Sequence, residues 1–252
     1  MKRPLTRREA LAGMGAVSLG ALLAACSDDE GAPATEVRTS DGGRTTVEPR
    51  SEGGLADLFG DESACRLTPE ATEGPYYFDP DAIRSDIRED RQGAPLRLVL
   101  RVRDAGCKPL ENAVVDIWHC DAAGLYSGFE SASRGGGPGG GRTDEEIYLR
   151  GAQVTGSEGI VQFRTVYPGW YGGRTPHIHA KVHLDRQTML TTQLYFDDAI
   201  TDAVYRRPPY SSRGRRDTSN ESDGLFDRAL TLKLSREGEG HLGLISFDLE
   251  RT

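Results

Sequence analysis

Residues 96–103 read Leu-Arg-Leu-Val-Leu-Arg-Val-Arg, and this alternation of apolar with basic side chains constrains the fold more than any other stretch. Successive side chains of a β-strand point to opposite faces, so a period of two marks a strand with one face on a core and one towards water. Strand-like runs return at 113–118, 160–166, 177–183, 190–196, 230–234 and 242–249, and no long stretch carries the period of an amphipathic helix. Short strands at this spacing predict an all-β domain, an antiparallel β-sandwich with long loops and few short helical turns. The run Asp104-Ala-Gly-Cys-Lys-Pro109 has the composition of a turn and predicts a hairpin over 96–118. Short helical turns are expected at 80–91, 197–205 and 223–229. The glycine-rich stretch 131–141 reads as a loop, and the polar, irregular stretch 206–224 as an excursion over the surface.

The N-terminal quarter is of a different kind. Lys2, Arg3, Arg7 and Arg8 precede a short apolar, small-residue run that ends near Ala25, which is the pattern of an export signal over residues 1–25. Thr6-Arg7-Arg8-Glu9-Ala10-Leu11 resembles a twin-arginine signal. Leu23-Ala24-Ala25-Cys26 resembles a lipobox, so the expected mature N-terminus is a lipidated Cys26 that anchors an exported, extracytoplasmic protein to the membrane. Residues 26–61 are poor in apolar side chains and read as a flexible tether, leaving 62–252 as one catalytic or binding domain. Without residues 1–25, which hold four basic residues and one acidic one, the formal charge moves from −8 to −11, a poor match to nucleic acid. Three cysteines remain beyond Cys26, and an oxidising compartment permits one disulfide and one free thiol. Cys107 and Cys120 flank an extended strand of about 23 Å, too long for a bridge, so Cys65 is expected to pair with one of the two.

The chemistry-bearing feature is His177-Ile-His179. On a strand these two imidazoles share a face, while Ile178, Ala180 and Val182 turn to the other, and two imidazoles on one face can grip one metal ion. Pro176 suits the start of that strand. His183 also falls on that face, but two steps further along and out of reach of the pair, while His119 and His241 lack partner spacing and are read as structural.

With its neighbours the histidine pair forms a longer series. Thr68-Pro-Glu-Ala-Thr-Glu-Gly-Pro-Tyr-Tyr77, Pro109-Leu-Glu-Asn-Ala-Val-Val-Asp-Ile-Trp-His119, Gly124-Leu-Tyr-Ser127, Phe163-Arg-Thr-Val-Tyr-Pro-Gly-Trp-Tyr171, Arg174-Thr-Pro-His-Ile-His179 and Thr192-Gln-Leu-Tyr-Phe196 follow one another in order. In that order the chain resembles the intradiol ring-cleavage dioxygenases over about residues 65–200, the exported, tethered members most of all. The resemblance implies one non-haem iron(III) per chain, held by Tyr126, Tyr171, His177 and His179. It implies a catecholic substrate that reacts with O2 and opens between its two hydroxylated carbons to a cis,cis-muconate-type diacid, with Tyr171 displaced by the substrate. Arg174 matches a family arginine that stabilises developing negative charge, and Gln193 matches a glutamine that hydrogen-bonds near the site. Tyr167 stands as the other candidate for the second tyrosine, because this chain places His177 only six positions after Tyr171 where better-known members carry a longer insertion. Trp118 is expected in the core, and Tyr76 and Tyr77 either there or at the mouth of the pocket. The ring substituents of the substrate fall to stretches 66–95 and 128–150, and the family also admits homo-oligomers. Two other readings share the β-sandwich. One is a binding module for aromatic or carbohydrate ligands with an incomplete metal site. The other is a cupin-like zinc or copper enzyme, which calls for a further His or Glu.

Overall fold

The computed structural model describes residues 35–38, 44–47, 54–60, 64–135, 141–185 and 187–250. The expected export signal and Cys26 lie outside them. Strands β1 (Thr35–Arg38) and β2 (Arg44–Val47) pair antiparallel within the stretch read as a tether. The domain proper holds β3 (Pro95–Asp104), β4 (Val114–Trp118), β5 (Arg150–Val154), β6 (Ile160–Val166), β7 (His177–Leu184), β8 (Gln187–Tyr195), β9 (Lys233–Glu237) and β10 (Gly240–Leu249). They form two four-stranded sheets, ordered β6-β3-β10-β9 and β5-β4-β7-β8, packed as a β-sandwich. One pair departs from the antiparallel expectation, because β10 runs parallel to β3.

The alternation seen in the sequence is the packing rule of the interior. Leu96, Leu98, Leu100 and Val102 of β3 meet Val115 and Ile117 of β4 and Ile178, Ala180 and Val182 of β7 in one buried cluster. Val99 points the other way and joins Phe59, Ile160, Leu242 and Leu244 on the outer face of the first sheet, so packing extends upstream to residues 55–59.

The expected hairpin over 96–118 is not formed, since β3 and β4 lie in different sheets. After β3 the chain folds back briefly, with the Leu110 amide donating to the Val102 carbonyl, and then turns at Asn112 (φ 67°) towards the opposite sheet. Two alternating strands can share a core by facing each other across it as well as by lying side by side, and here they face each other. Residues 80–91 form no helix. Their backbone amides are used as extended connectors, Arg84 to Ala152 of β5 and Ile87 to Arg164 of β6. Helix α2 (Asp198–Tyr205) forms where expected and is capped by the Asp197 side chain, which accepts from the Ala199 and Ile200 amides. The last expected turn shrinks to a 3-10 turn at Arg228–Leu230, and strand pairing starts later than expected, at Lys233. Helix α1 (Glu130–Gly135) replaces the beginning of the expected glycine-rich loop.

Cys65 pairs with Cys107, with Cα atoms 5.5 Å apart, and Cys120 is free and buried. Beside the disulfide, Asp248 of β10 receives Arg103 Nε at 2.7 Å and the Arg66 amide at 3.0 Å, while its own amide donates to Thr68 Oγ1. Both charged side chains are almost fully buried, 5% and 6% exposed. Removing one member of such a pair strands the other charge away from water. Asp248→Ala is therefore expected to cost about 3–5 kcal/mol, read as a lower midpoint in urea unfolding.

Candidate metal centre

Strand β7 carries the sandwich core on one face and the site on the other. Its neighbours continue that outer face by register, since antiparallel partners point the same way. Trp118 of β4 and Gln193 of β8 stand opposite His179, Tyr195 of β8 stands opposite His177, and Asp116 of β4 opposite Lys181. Two loops bring the tyrosines over this face. Gly124 (φ 82°) sits in the turn before Tyr126, and a side chain there would meet the Trp170 carbonyl at 2.3 Å, so the loop of Tyr126 and the loop of Tyr171 pass backbone to backbone. The stretch 72–77 closes the top. A Cβ on Gly74 would stand 3.1 Å from the His179 ring.

Four donor atoms converge there. Tyr126 Oη lies 3.1 Å from His179 Nε2, Tyr171 Oη lies 3.1 Å from His177 Nε2, and the two Nε2 atoms are 3.1 Å apart. His177 Nδ1 donates to the Thr175 carbonyl at 2.7 Å, which leaves Nε2 with its lone pair facing the junction. Both imidazoles are buried, and burial holds them neutral. His177 is pushed down to about 3, with Arg174 adding to the shift, and His179 falls well below its ordinary 6.5, with His177 and Arg174 adding. Burial likewise pushes the phenols of Tyr126 and Tyr171 up, and Arg174 opposes the rise in both. Two neutral imidazoles with their Nε2 atoms turned inward and two phenols that cannot ionise unaided describe a place for a cation, which stabilises phenolate and accepts imidazole nitrogen at once. The spacing agrees, because donors about 2.1 Å from one ion lie about 3 Å from each other when at right angles. Among the described residues no three His, Cys, Asp or Glu side chains gather for a metal, so the set rests on its tyrosines and a cupin-like set has no third ligand here.

Tyr167 is fully buried away from the junction, its hydroxyl 2.7 Å from Thr201 Oγ1. Arg174 lies beside the junction, where its Nη2 donates to Gln193 Oε1 at 2.5 Å and its Nε to Asp223 at 2.9 Å. Burial works against the charge of Arg174, but Tyr171 and Asp223 outweigh it and hold the guanidinium above its usual value. Gln193 donates in turn to the Thr72 carbonyl at 2.8 Å and accepts from Tyr195 Oη at 2.9 Å, so it ties the arginine to the closing stretch. Trp118 is buried in an aromatic cluster with Tyr76, Tyr126 and Phe129 rather than in the sandwich core, and it stacks on His179 with centroids 4.8 Å apart. Tyr76 lies against Tyr126 at 4.8 Å and lines the cavity, while the Tyr77 hydroxyl donates to Asp116. His119 is a core histidine between the Cys120 carbonyl and Thr165 Oγ1.

Asp223 had no signal in the sequence. It sits in the stretch 206–224 read as a surface excursion, yet it is buried and accepts from Arg174, from the Thr175 amide at 2.9 Å and from the Leu225 amide at 2.9 Å. The excursion folds inward because it must satisfy this arginine. The site opens to a cavity of about 760 Å³ lined by Tyr76, Tyr171, Arg174 and their neighbours.

The profile of a family described as Dioxygenase matches residues 72–207, more than half of the chain. A solved structure described as an intradiol ring-cleavage dioxygenase from Tetranychus urticae is 35% identical, with a TM-score of 0.70, over 74% of this chain and 95% of that one. Catechol 1,2-dioxygenase 1 of Acinetobacter lwoffii is 32% identical over 50% of this chain and 45% of its own length. Catechol 1,2-dioxygenase of Acinetobacter baylyi is 29% identical over 69% of this chain and 64% of its own. The chain belongs to the intradiol ring-cleavage dioxygenase family. It spans about half to two thirds of the length of these two catechol dioxygenases.

The buried neutral imidazoles of His177 and His179, together with that of His119, which burial pushes down to about 4, make metal-free protein acid-sensitive. Unfolded histidine takes a proton near 6.5, whereas folded His177 resists until about 3, so between these values the unfolded chain binds more protons and stability drops as the pH falls. The urea midpoint of metal-free protein is expected to fall between pH 7.5 and 5, and His177→Asn is expected to shrink that fall.

Proposed function

We propose that this protein is an iron(III)-dependent intradiol dioxygenase that opens a catechol-type ring between its two hydroxylated carbons and places both atoms of O2 in a cis,cis-muconate-type diacid. The observation that carries the reading is the convergence of two tyrosine oxygens and two histidine nitrogens, each 3.1 Å from a neighbour in the set. Two phenolates are hard anionic donors that balance a trivalent ion in a buried place. Iron(III), when bound, supplies the Lewis acidity that draws charge out of a catecholate and makes its ring reactive to O2.

The residues divide the remaining work. Tyr126, His177 and His179 are buried and would hold the ion. Tyr171 lines the cavity, and its Oη, as the phenolate that a bound metal would stabilise, is the group placed to take a proton from a substrate hydroxyl. Arg174, held by Asp223 and Gln193, offers a fixed positive charge to the negative charge that develops on the ring. Trp118 backs His179 and fixes its plane. Export and lipid anchoring through Cys26 are part of the same proposal, supported by the signal-like N-terminus and by a disulfide of a kind that persists in oxidising compartments.

Protein reconstituted with ferric iron is expected to hold about one iron per chain and to show a red-brown tyrosinate-to-iron band that shifts on anaerobic addition of catechol. Tyr126→Phe and Tyr171→Phe are each expected to weaken and move the band, and His177→Ala to lose the iron. Absence of any such band in ferric-loaded protein would remove this ligand set and favour the binding-module reading. Arg174→Gln is expected to keep the iron and the band while lowering kcat by about 10²–10³, measured as O2 uptake with catechol.

A further inference from the structure

The cavity beside the proposed iron ligands has a sign. Its lining includes Arg134, Arg174 and Arg213 and no carboxylate, in a chain whose formal charge is −8. The acids nearby are engaged. Asp223 binds Arg174, Glu73 binds Lys181, Glu130 stands 3.7 Å from Arg134, and Asp217, beside Gly172, accepts from Thr218 Oγ1. Arg213 differs, because it has no carboxylate partner among the described residues. It is nevertheless fixed. Nη1 donates to the Trp170 carbonyl at 2.6 Å, and the guanidinium lies over the Trp170 ring at 4.5 Å. Its Nη2 is directed at Gly124, where an added Cβ would stand 3.2 Å away. Arg213 thus sits at the seam between the loop of Tyr126 and the loop of Tyr171, half-buried, held by the Trp170 and Ala122 carbonyls, and lines the cavity with its charge unmatched by any carboxylate among the described residues.

A held guanidinium without a counter-charge is a receptor for a planar anion, which it meets through paired hydrogen bonds. The cavity, about 760 Å³, falls in the upper part of the range that encloses drug-sized ligands, so it has room for a ring that carries a substituent. We propose that the substrate is a catechol bearing a carboxylate, and that Arg213 is the residue that selects it, with Arg134 adding charge at the rim. This rests on the intradiol reading above for the catechol half of the substrate. The carboxylate half rests on Arg213 alone.

The test compares two rings that differ only in charge. The iron-loaded full chain is given 3,4-dihydroxybenzoate and its neutral counterpart 3,4-dihydroxybenzamide, and kcat/KM is measured for each by O2 uptake. The carboxylate is expected to exceed the amide by about tenfold or more, the worth of one charge-assisted hydrogen bond. In Arg213→Gln the two values are expected to converge, with most of the change in KM, and Arg213→Lys should retain part of the preference. Using the ratio within each variant cancels any disturbance of Tyr171 through Trp170. Arg134→Gln is expected to lower the ratio modestly. Equal handling of both rings by the unmodified protein, or a ratio that survives in Arg213→Gln, overturns the proposal. If neither ring is opened, calorimetric titration with 4-hydroxybenzoate and 4-hydroxybenzamide separates the two readings. A benzoate preference that Arg213→Gln abolishes keeps the anion site while the ring-cleavage reading falls, and no preference ends the proposal.

Discussion

Two uncharged imidazoles are buried on one side of a strand whose other side is sandwich core, and the rest of the site answers to that placement. Ile178, Ala180 and Val182 fix β7 in the interior, so His177 and His179 have no freedom to swing towards water. Their nitrogens then need a partner that is neither solvent nor acid. The tyrosine loops, the closing stretch 72–77 and the stacked Trp118 are arranged around that need. Trp118 stacks on His179, and Tyr77 packs on Trp118 while its hydroxyl donates to Asp116, so the aromatic wall behind the donors is held by ring packing with a polar contact at its edge.

Charge is organised in layers outward from this junction. Arg174 comes first, and its field touches all four donors. Asp223, Gln193 and Tyr195 surround it and fix its direction. A guanidinium held by a carboxylate on one edge and an amide oxygen on another keeps one orientation, and a fixed dipole is worth more to a developing charge than a mobile one. The same network reaches Thr72 through Gln193 Nε2, so the polar layer that orients the arginine also pins the lid over the histidines.

Much of this was legible in the sequence, for reasons that are local. A period of two survives in any strand with one buried face, so β3, β6 and β7 could be read directly, and with β7 the shared face of His177 and His179. Tyr126 and Tyr171 came from the order of motifs rather than from any pattern of their own. Pairing was not legible. Residues 96–118 show two strands but not that they belong to opposite sheets, because alternation reports a buried face and not which neighbour buries it. Strand β5, Arg-Gly-Ala-Gln-Val, has too weak an alternation to stand out. Asp223 and Arg213 were hidden for a further reason. They lie in a polar stretch, and composition cannot distinguish polar residues that face water from polar residues that face a buried arginine or a cavity.

The cover over the centre draws on both sheets. Asp248, near the end of β10, is the anchor for Arg66 and Thr68, and these lead directly into the stretch that covers His179. The same stretch is also tied to β8, by the Ala71 amide on the Thr191 carbonyl and by Gln193 on the Thr72 carbonyl. The cover over the centre is therefore a strap fastened to both sheets, and any slip of one sheet against the other pulls on the backbone that lies across His179.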